Sequence, residues 1–188
     1  ELRNIMYTAS LDSFKSHEKA ITIRYPRGEG VMPAWRTTLE EIEIGKGVQL
    51  MEGDEIAILS IGHIGNEAIA ACEKARELGL KPALFDMRFV KPLDEELLHR
   101  VFKQFKTIIT VEDAAIQGGF GSAIAEFMVD HSYTAKIIRL GIADEIVEHG
   151  EQKELYALCG IDANGILAKI QVNVSSQTAK NNPKALVS

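Results

Sequence analysis

Residues 55–79, EIAILSIGHIGNEAIAACEKARELG, decide the fold class of this chain. The run from 55 to 62 is almost wholly apolar, as expected for a strand that is covered on both of its faces. The apolar residues between 64 and 78 recur at helical spacing, and Gly79 ends that pattern. A buried strand that leads directly into an amphipathic helix is the repeating unit of a parallel sheet, because parallel strands need a long crossover between them.

The alternation of strands and helices continues outward from this stretch. It predicts further strands at 82–87, 107–113 and 135–142, and helices at 92–105, 121–131, 151–158 and 162–172. The segment GKGVQLM, residues 45–51, predicts an antiparallel edge strand ahead of the series. Together these elements predict an α/β fold, a three-layer α/β/α sandwich with a mostly parallel sheet.

The segment before the alternation has a different character. A helix over 1–16 and a strand over 20–25 cannot bury a core by themselves, so residues 1–26 are interpreted as the tail of a preceding domain. The remaining segments are interpreted as a linker without clean periodicity, the α/β domain, and a polar tail predicted to be disordered, at 27–44, 45–172 and 173–188.

Composition limits the class of protein. The chain has 188 residues, 46% hydrophobic and 26% charged, with a formal net charge of −6, which argues against a nucleic-acid partner. No apolar stretch approaches the roughly 20 residues needed to span a bilayer, so no membrane partner is expected. Cys72 and Cys159 are isolated from each other, which is typical of a reducing compartment and predicts a cytoplasmic protein without disulfides.

Two glycine-rich turns invite a phosphate-binding interpretation. QGGFGSA (117–123) and GHIGNE (62–67) both follow a predicted strand and open a helix, where free N–H groups can hold an anion. The first does not have the G-x-G-x-x-G spacing of dinucleotide-binding turns. The simpler interpretation is that its glycines, Gly118, Gly119 and Gly121 around Phe120, allow a tight turn and a close approach of helix to sheet.

Other polar residues give no catalytic pattern. Glu112 and Asp113 end a predicted strand at the sheet edge where open α/β folds bind ligands, but neighbours in a strand point to opposite faces. The five histidines show no metal-ligand spacing, so no metal site is predicted. An ion-pair cluster is expected at one strand-to-helix turn, formed by Asp86, Arg88, Lys91 and Asp94.

The chain resembles the C-terminal third of 1-deoxy-D-xylulose-5-phosphate synthases from residue 1 to about residue 172. Motifs of that family occur here in order: RYPRG, IGKG, FDMRFVKPLDEELL, TVEDAAIQGGFGSAIAEF, RLGIADEIVEHG and ELYALCGIDANGI. One departure is Ala143, where the family more often has proline. The resemblance implies the end of a pyrimidine-binding domain followed by a transketolase-type C-terminal domain.

The resemblance also implies a function for the full-length protein. It would be a transferase that uses thiamine diphosphate and Mg²⁺ to condense pyruvate with glyceraldehyde 3-phosphate, giving 1-deoxy-D-xylulose 5-phosphate and carbon dioxide for isoprenoid and thiamine precursors. The family's cofactor and catalytic residues lie upstream of the position that corresponds to residue 1. No catalytic, cofactor or metal residue is therefore expected here, and the chain alone is predicted to be inactive. The family also implies a homodimer, with the stretch 112–121 near its interface.

One site residue is carried across by the resemblance. The second arginine of RYPRG contacts the phosphate of glyceraldehyde 3-phosphate in the family, and in this chain it is Arg27. A guanidinium is suited to that role because it can donate two parallel hydrogen bonds to one phosphate. Gly28 beside it leaves room for a ligand. Arg24, three residues earlier, is interpreted as a structural ion-pairing residue.

Two other functions remain open at the level of sequence. The same layout occurs in the beta subunits of 2-oxo acid dehydrogenases, which dock a partner protein. A free-standing, non-catalytic dimerisation domain is the other alternative. The residues that precede Glu1 in a longer parent chain would discriminate between an enzyme and such a domain.

Overall fold

The computed structural model describes residues 2–16, 20–26 and 38–181. Its strands are β1 Val48–Met51, β2 Ala57–Ile61, β3 Ala83–Asp86, β4 Thr107–Ala115 and β5 Lys136–Ile142. Its helices are α1 Leu2–Ser16, α2 Gly65–Glu77, α3 Glu95–Gln104, α4 Phe120–Asp130, α5 Gln152–Cys159 and α6 Ala163–Asn181, and a short 3₁₀ turn, Gly62–Ile64, links β2 to α2.

The five strands form one sheet in the order β1-β3-β2-β4-β5. β2 is parallel to both β3 and β4, and β4 is parallel to β5, while β1 runs antiparallel to β3 at the edge. The predicted α/β fold and the antiparallel edge strand are both confirmed.

Helices cover both faces of the sheet because successive strand residues point to opposite sides. In β2, Ile58 belongs to a core shared with α2 and α6, whereas Leu59 belongs to a core shared with α3 and α4. Ile109 and Ile108 of β4 divide in the same way. The central strands are therefore buried on both sides, which explains why their sequences are continuous apolar runs.

The corner between β1 and α3 is joined by one carboxylate. Asp94 caps α3, because its Oδ1 accepts a hydrogen bond from the N–H of Leu97 at 3.0 Å. Its Oδ2 accepts from the N–H of Gly47 at 3.0 Å, and Lys46 Nζ lies 3.6 Å from Oδ1. The cation that pairs with Asp94 is thus Lys46 of the IGKG motif, from outside the predicted four-residue cluster.

The strand predicted at 20–25 is not present. Residues 20–26 have no regular secondary structure, because a strand requires a hydrogen-bonded neighbour and none of the described strands lies against this segment. The predicted helix before it is confirmed as α1. The N–H of Ile42 donates to Thr8 Oγ1 at 2.8 Å, which ties α1 to the segment before β1.

The predicted disorder of 173–188 is wrong for residues 173–181, which are helical in α6. Asn173 and Val174 are both 5% exposed, so this part of the helix contributes to the core. Lys136 Nζ, at the start of β5, donates to Asn173 Oδ1 at 2.7 Å. Residues 182–188 lie outside the described residues. Among the helices of the described ranges, none is both long and apolar enough to cross a bilayer.

Replacing Asn173 by alanine tests whether α6 contacts the sheet beyond residue 172. The change removes the bond from Lys136 and the bond from Asn173 Nδ2 to the carbonyl of Lys169. We expect a loss of about 1 kcal/mol in unfolding free energy, which lowers Tm by about 2–4 °C in a chain of this length. Thermal denaturation measures it, with exposed Gln171→Ala as the matched control. Equal Tm values for the two variants would contradict the contact.

Candidate functional site

Four polar side chains meet where β2 and β4 end. Ile61 of β2 lies opposite Glu112 of β4 in the parallel ladder, so the residues after each are brought together at the carboxyl edge of the sheet. We call His63, Asp113, Gln152 and Tyr156 the carboxyl-edge cluster. The first two follow from the strands, and the last two come from α5, one helical turn apart.

Tyr156 is the centre of the carboxyl-edge cluster. Its hydroxyl donates to Asp113 Oδ2 at 2.9 Å and accepts from Gln152 Nε2 at 2.8 Å. His63 Nε2 is also in contact with the Tyr156 hydroxyl, and it lies 3.3 Å from Asp113 Oδ2. The side chains of His63 and Asp113 are 27% and 26% exposed, so the cluster is half-buried and open to solvent on one side.

The protonation of Tyr156 is fixed by its surroundings. Burial raises the pKa of the phenol well above its ordinary value, and the hydrogen bond to Asp113 and the charge of that carboxylate raise the pKa further. Tyr156 is therefore a neutral hydrogen-bond donor near neutral pH.

The pKa of Tyr156 predicts how stability depends on high pH. An unfolded tyrosine ionises near pH 10, whereas folded Tyr156 stays neutral there, so the unfolded state loses its proton first. Wild-type protein is therefore expected to lose stability relative to Tyr156→Phe as the pH rises above about 10. Urea denaturation of both proteins at pH 8 and pH 11 measures this. A constant stability difference between the two pH values would contradict the raised pKa.

The cluster is connected to the segment that precedes Arg27. Arg24 donates a hydrogen bond from its guanidinium to the main-chain carbonyl of Asp113 at 2.7 Å. The contact observed for Arg24 is therefore to a peptide oxygen at the end of β4. Arg27 itself, the predicted phosphate-binding residue, lies outside the described residues, so its role stays a prediction.

The N-terminus of α4 is occupied by a carboxylate of the chain itself. Glu112 is 1% exposed, and its Oε2 and Oε1 accept hydrogen bonds from the N–H groups of Phe120 and Gly121 at 2.7 and 2.8 Å. These are the groups that would hold a phosphate in a dinucleotide-binding turn. The glycine-rich turn therefore serves internal packing, as the simpler interpretation of its sequence predicts.

The glycines of this turn are required by close approach and by backbone conformation. A Cβ on Gly119 would lie 2.8 Å from Glu112 Cδ, and closer still to Glu112 Oε2 and to the carbonyl oxygen of Ala115. Gly118 has a φ of +70°, which favours glycine. Phe120, in the stretch expected near a subunit interface, is 2% exposed and belongs to the core of its own domain.

The prediction that Glu112 and Asp113 act separately agrees with this geometry, since one carboxylate caps α4 and the other joins the carboxyl-edge cluster. The sequence reasoning missed His63, Gln152 and Tyr156. A signal did exist, because His63 comes directly after a buried strand and the other two have i, i+4 spacing on a helix. In the described ranges, no group of three or more His, Cys, Asp or Glu side chains could hold a metal ion.

Comparison with known proteins gives a consistent family. Residues 45–166 match the family model described as "Transketolase, C-terminal domain". The chain is 59% identical over 180 residues to 1-deoxy-D-xylulose-5-phosphate synthase of Cytophaga hutchinsonii, covering 96% of this chain and 28% of that protein. It is 50% identical to the synthase of Bacteroides thetaiotaomicron, covering 90% of this chain and 26% of that protein. The chain thus spans little more than a quarter of the length of these relatives.

Solved structures agree with the fold. The structure described as "Split gene transketolase, inactive beta4 tetramer" aligns with a TM-score of 0.67 at 26% identity, covering 72% of this chain and 44% of that chain. A transketolase of Pichia stipitis aligns with a TM-score of 0.53 at 18% identity, covering 72% of this chain and 19% of that chain. The second likeness concerns the fold alone.

Proposed function

Because the chain belongs to the family of transketolase C-terminal domains, we propose that it is the C-terminal part of a 1-deoxy-D-xylulose-5-phosphate synthase. The observation that carries this proposal is 59% identity to such a synthase over 96% of the chain. The motifs RYPRG, FDMRFVKPLDEELL and QGGFGSA support the same assignment. The reaction would transfer a two-carbon unit from pyruvate to glyceraldehyde 3-phosphate, giving 1-deoxy-D-xylulose 5-phosphate and carbon dioxide.

The cofactors belong to another part of the proposed enzyme. The described residues do not fit Mg²⁺, since they hold no cluster of metal-binding side chains, and the glycine-rich helix terminus is filled by Glu112. We therefore derive no step of the thiamine diphosphate chemistry from them. In the proposed enzyme the cofactor stabilises the carbanion left when pyruvate loses carbon dioxide. The isolated chain is expected neither to bind thiamine diphosphate nor to turn over pyruvate.

The contribution of this chain to the reaction is the binding of the acceptor. Arg27 would hold the phosphate of glyceraldehyde 3-phosphate, because a guanidinium can donate two charge-assisted hydrogen bonds to it. The structure supports this proposal indirectly, since Arg24 anchors the preceding segment at the carboxyl edge of the sheet, where α/β folds bind ligands.

The proposal includes the domain organisation and the state of the protein. Residues 1–26 would complete a pyrimidine-binding domain, which agrees with the exposure of Leu2 (39%) and Met6 (53%) on α1. Residues 27–44 would be the linker and 45–172 the C-terminal domain. The enzyme would be a cytoplasmic homodimer.

Activity of the full-length parent enzyme tests the proposed function. With thiamine diphosphate and Mg²⁺, we expect carbon dioxide and 1-deoxy-D-xylulose 5-phosphate only when pyruvate and glyceraldehyde 3-phosphate are both supplied at saturating levels. Mass spectrometry of the sugar phosphate identifies the product. Transfer of the two-carbon unit to a lipoyl-bearing protein instead would identify a 2-oxo acid dehydrogenase subunit and overturn the proposal. Calorimetric titration of the isolated chain with cofactor and Mg²⁺ tests its expected lack of binding.

A further inference from the structure

The hydrogen bond from Arg24 to β4 limits where the RYPRG loop can go. The guanidinium of Arg24 donates to the carbonyl of Asp113 at 2.7 Å. Arg27 follows three residues later, and three extended residues span at most about 11 Å. The position of Arg27 therefore depends on how firmly the backbone of Asp113 is held.

That backbone is held from two sides. On one side, the buried carboxylate of Glu112 is fixed by the N–H groups of Phe120 and Gly121 at the start of α4. On the other side, the carboxylate of Asp113 accepts the hydroxyl of Tyr156 at 2.9 Å. Neighbouring residues of β4 are thus anchored on opposite faces of the sheet, and the carbonyl that Arg24 reaches is fixed with them.

We propose that Tyr156, through Asp113 and Arg24, positions the RYPRG loop for the phosphate of the acceptor substrate. The inference rests on the proposed function, since it assigns α5 a part in acceptor selection by that reaction. Tyr156 and Arg24 are positioning residues in this scheme, because neither needs to touch the substrate. This replaces the expectation that Arg24 has only a structural role.

The energetic reason is preorganisation. A phosphate-binding guanidinium on an unanchored loop must be ordered when the ligand arrives, and that entropy is subtracted from the binding energy. Anchoring the loop three residues before Arg27 meets part of the cost in advance. The neutral phenol suits this task, because its raised pKa keeps the proton that Asp113 accepts.

The experiment compares phosphorylated with unphosphorylated acceptor in the full-length enzyme. The ratio of kcat/KM for glyceraldehyde 3-phosphate to kcat/KM for glyceraldehyde reports how well the phosphate is recognised. In Tyr156→Phe and in Arg24→Gln, we expect this ratio to fall about threefold to tenfold, the loss that one hydrogen bond accounts for. The kcat/KM for pyruvate should change less than twofold, which a merely structural role would not predict.

A double variant and a matched control make the test specific. Tyr156→Phe combined with Arg24→Gln should lose no more than the larger single loss, because both changes break one chain of contacts. Arg76 also donates its guanidinium to a main-chain carbonyl, that of Glu52, but it lies at the end of α2 on the opposite edge of the sheet. Arg76→Gln should leave the acceptor ratio unchanged.

Each outcome decides between the two proposals. If wild-type enzyme does not join pyruvate to glyceraldehyde 3-phosphate, the proposed function fails and the positioning scheme fails with it. If wild-type enzyme is active but the acceptor ratio is unchanged in Tyr156→Phe and Arg24→Gln, only the positioning scheme is overturned. Additive losses in the double variant would likewise overturn it. A lower ratio in both single variants without further loss in the double variant supports it.

Discussion

Gly119→Ala is expected to lower the unfolding free energy of this domain by about 3 kcal/mol or more. The added methyl group would overlap the carboxylate of Glu112 and the carbonyl oxygen of Ala115. Overpacking of this kind costs about 1–3 kcal/mol. Displacing the carboxylate would also weaken its charge-assisted bonds to two buried N–H groups, at about 1.5–3 kcal/mol each. Tm should fall by roughly 6–12 °C, as thermal denaturation can measure.

Two further variants separate the causes of that loss. Gly118→Ala meets nothing within 4 Å but has a φ of +70°, so it should cost only about 1 kcal/mol of backbone strain. Glu112→Gln keeps the shape but replaces one acceptor oxygen by an amide, and we expect an intermediate loss. If Gly119→Ala proved no more damaging than Gly118→Ala, the close approach of Gly119 to Glu112 would be refuted.

Arg27→Ala in the full-length enzyme is expected to lower kcat/KM for glyceraldehyde 3-phosphate at least tenfold. If Arg27 holds the acceptor's phosphate, the substitution removes a charge-assisted contact worth about 1.5–3 kcal/mol. Pyruvate binding and its decarboxylation should change much less, because neither involves the sugar phosphate. Steady-state kinetics with each substrate varied in turn makes the comparison.

The conservative change and a remote arginine control this prediction. Arg27→Lys should restore only part of the loss, since it keeps the charge but not the planar fork that grips two oxygens. Arg76→Ala removes a guanidinium far from the carboxyl edge and should affect neither substrate. Equal losses for pyruvate and glyceraldehyde 3-phosphate, or a drop in Tm large enough to explain them, would assign Arg27 a structural role.

The fold was predictable because its signals are local and repeated. Residues 55–62 and 107–113 read as continuous apolar runs, and these became the central strands β2 and β4. Burial on both faces demands such runs, and the helices between them carry an apolar stripe at helical spacing. The edge strand was predictable for the same reason, since GKGVQLM precedes the series without a crossover helix.

The errors come from interactions that a local pattern does not encode. The alternation of residues 20–25 resembles a strand, but a strand also needs a neighbour to accept its hydrogen bonds. The polar composition of residues 173–181 suggested disorder, yet Asn173 and Val174 are buried against the rest of the domain. His63 and Tyr156 are 93 residues apart in the chain. Their meeting follows from the order of strands in the sheet, which the sequence does not reveal.

The cap on α4 can also be regarded as a tethered ligand. Glu112 is eight residues before Phe120 in the chain, and its carboxylate occupies the helix end in the way that a bound anion would. A free phosphate would have to compete with a group that never diffuses away, so its apparent affinity would be reduced by the effective concentration of the carboxylate. This domain therefore keeps the architecture of a nucleotide-binding fold while its own side chain acts as a permanent competitive inhibitor of that binding mode.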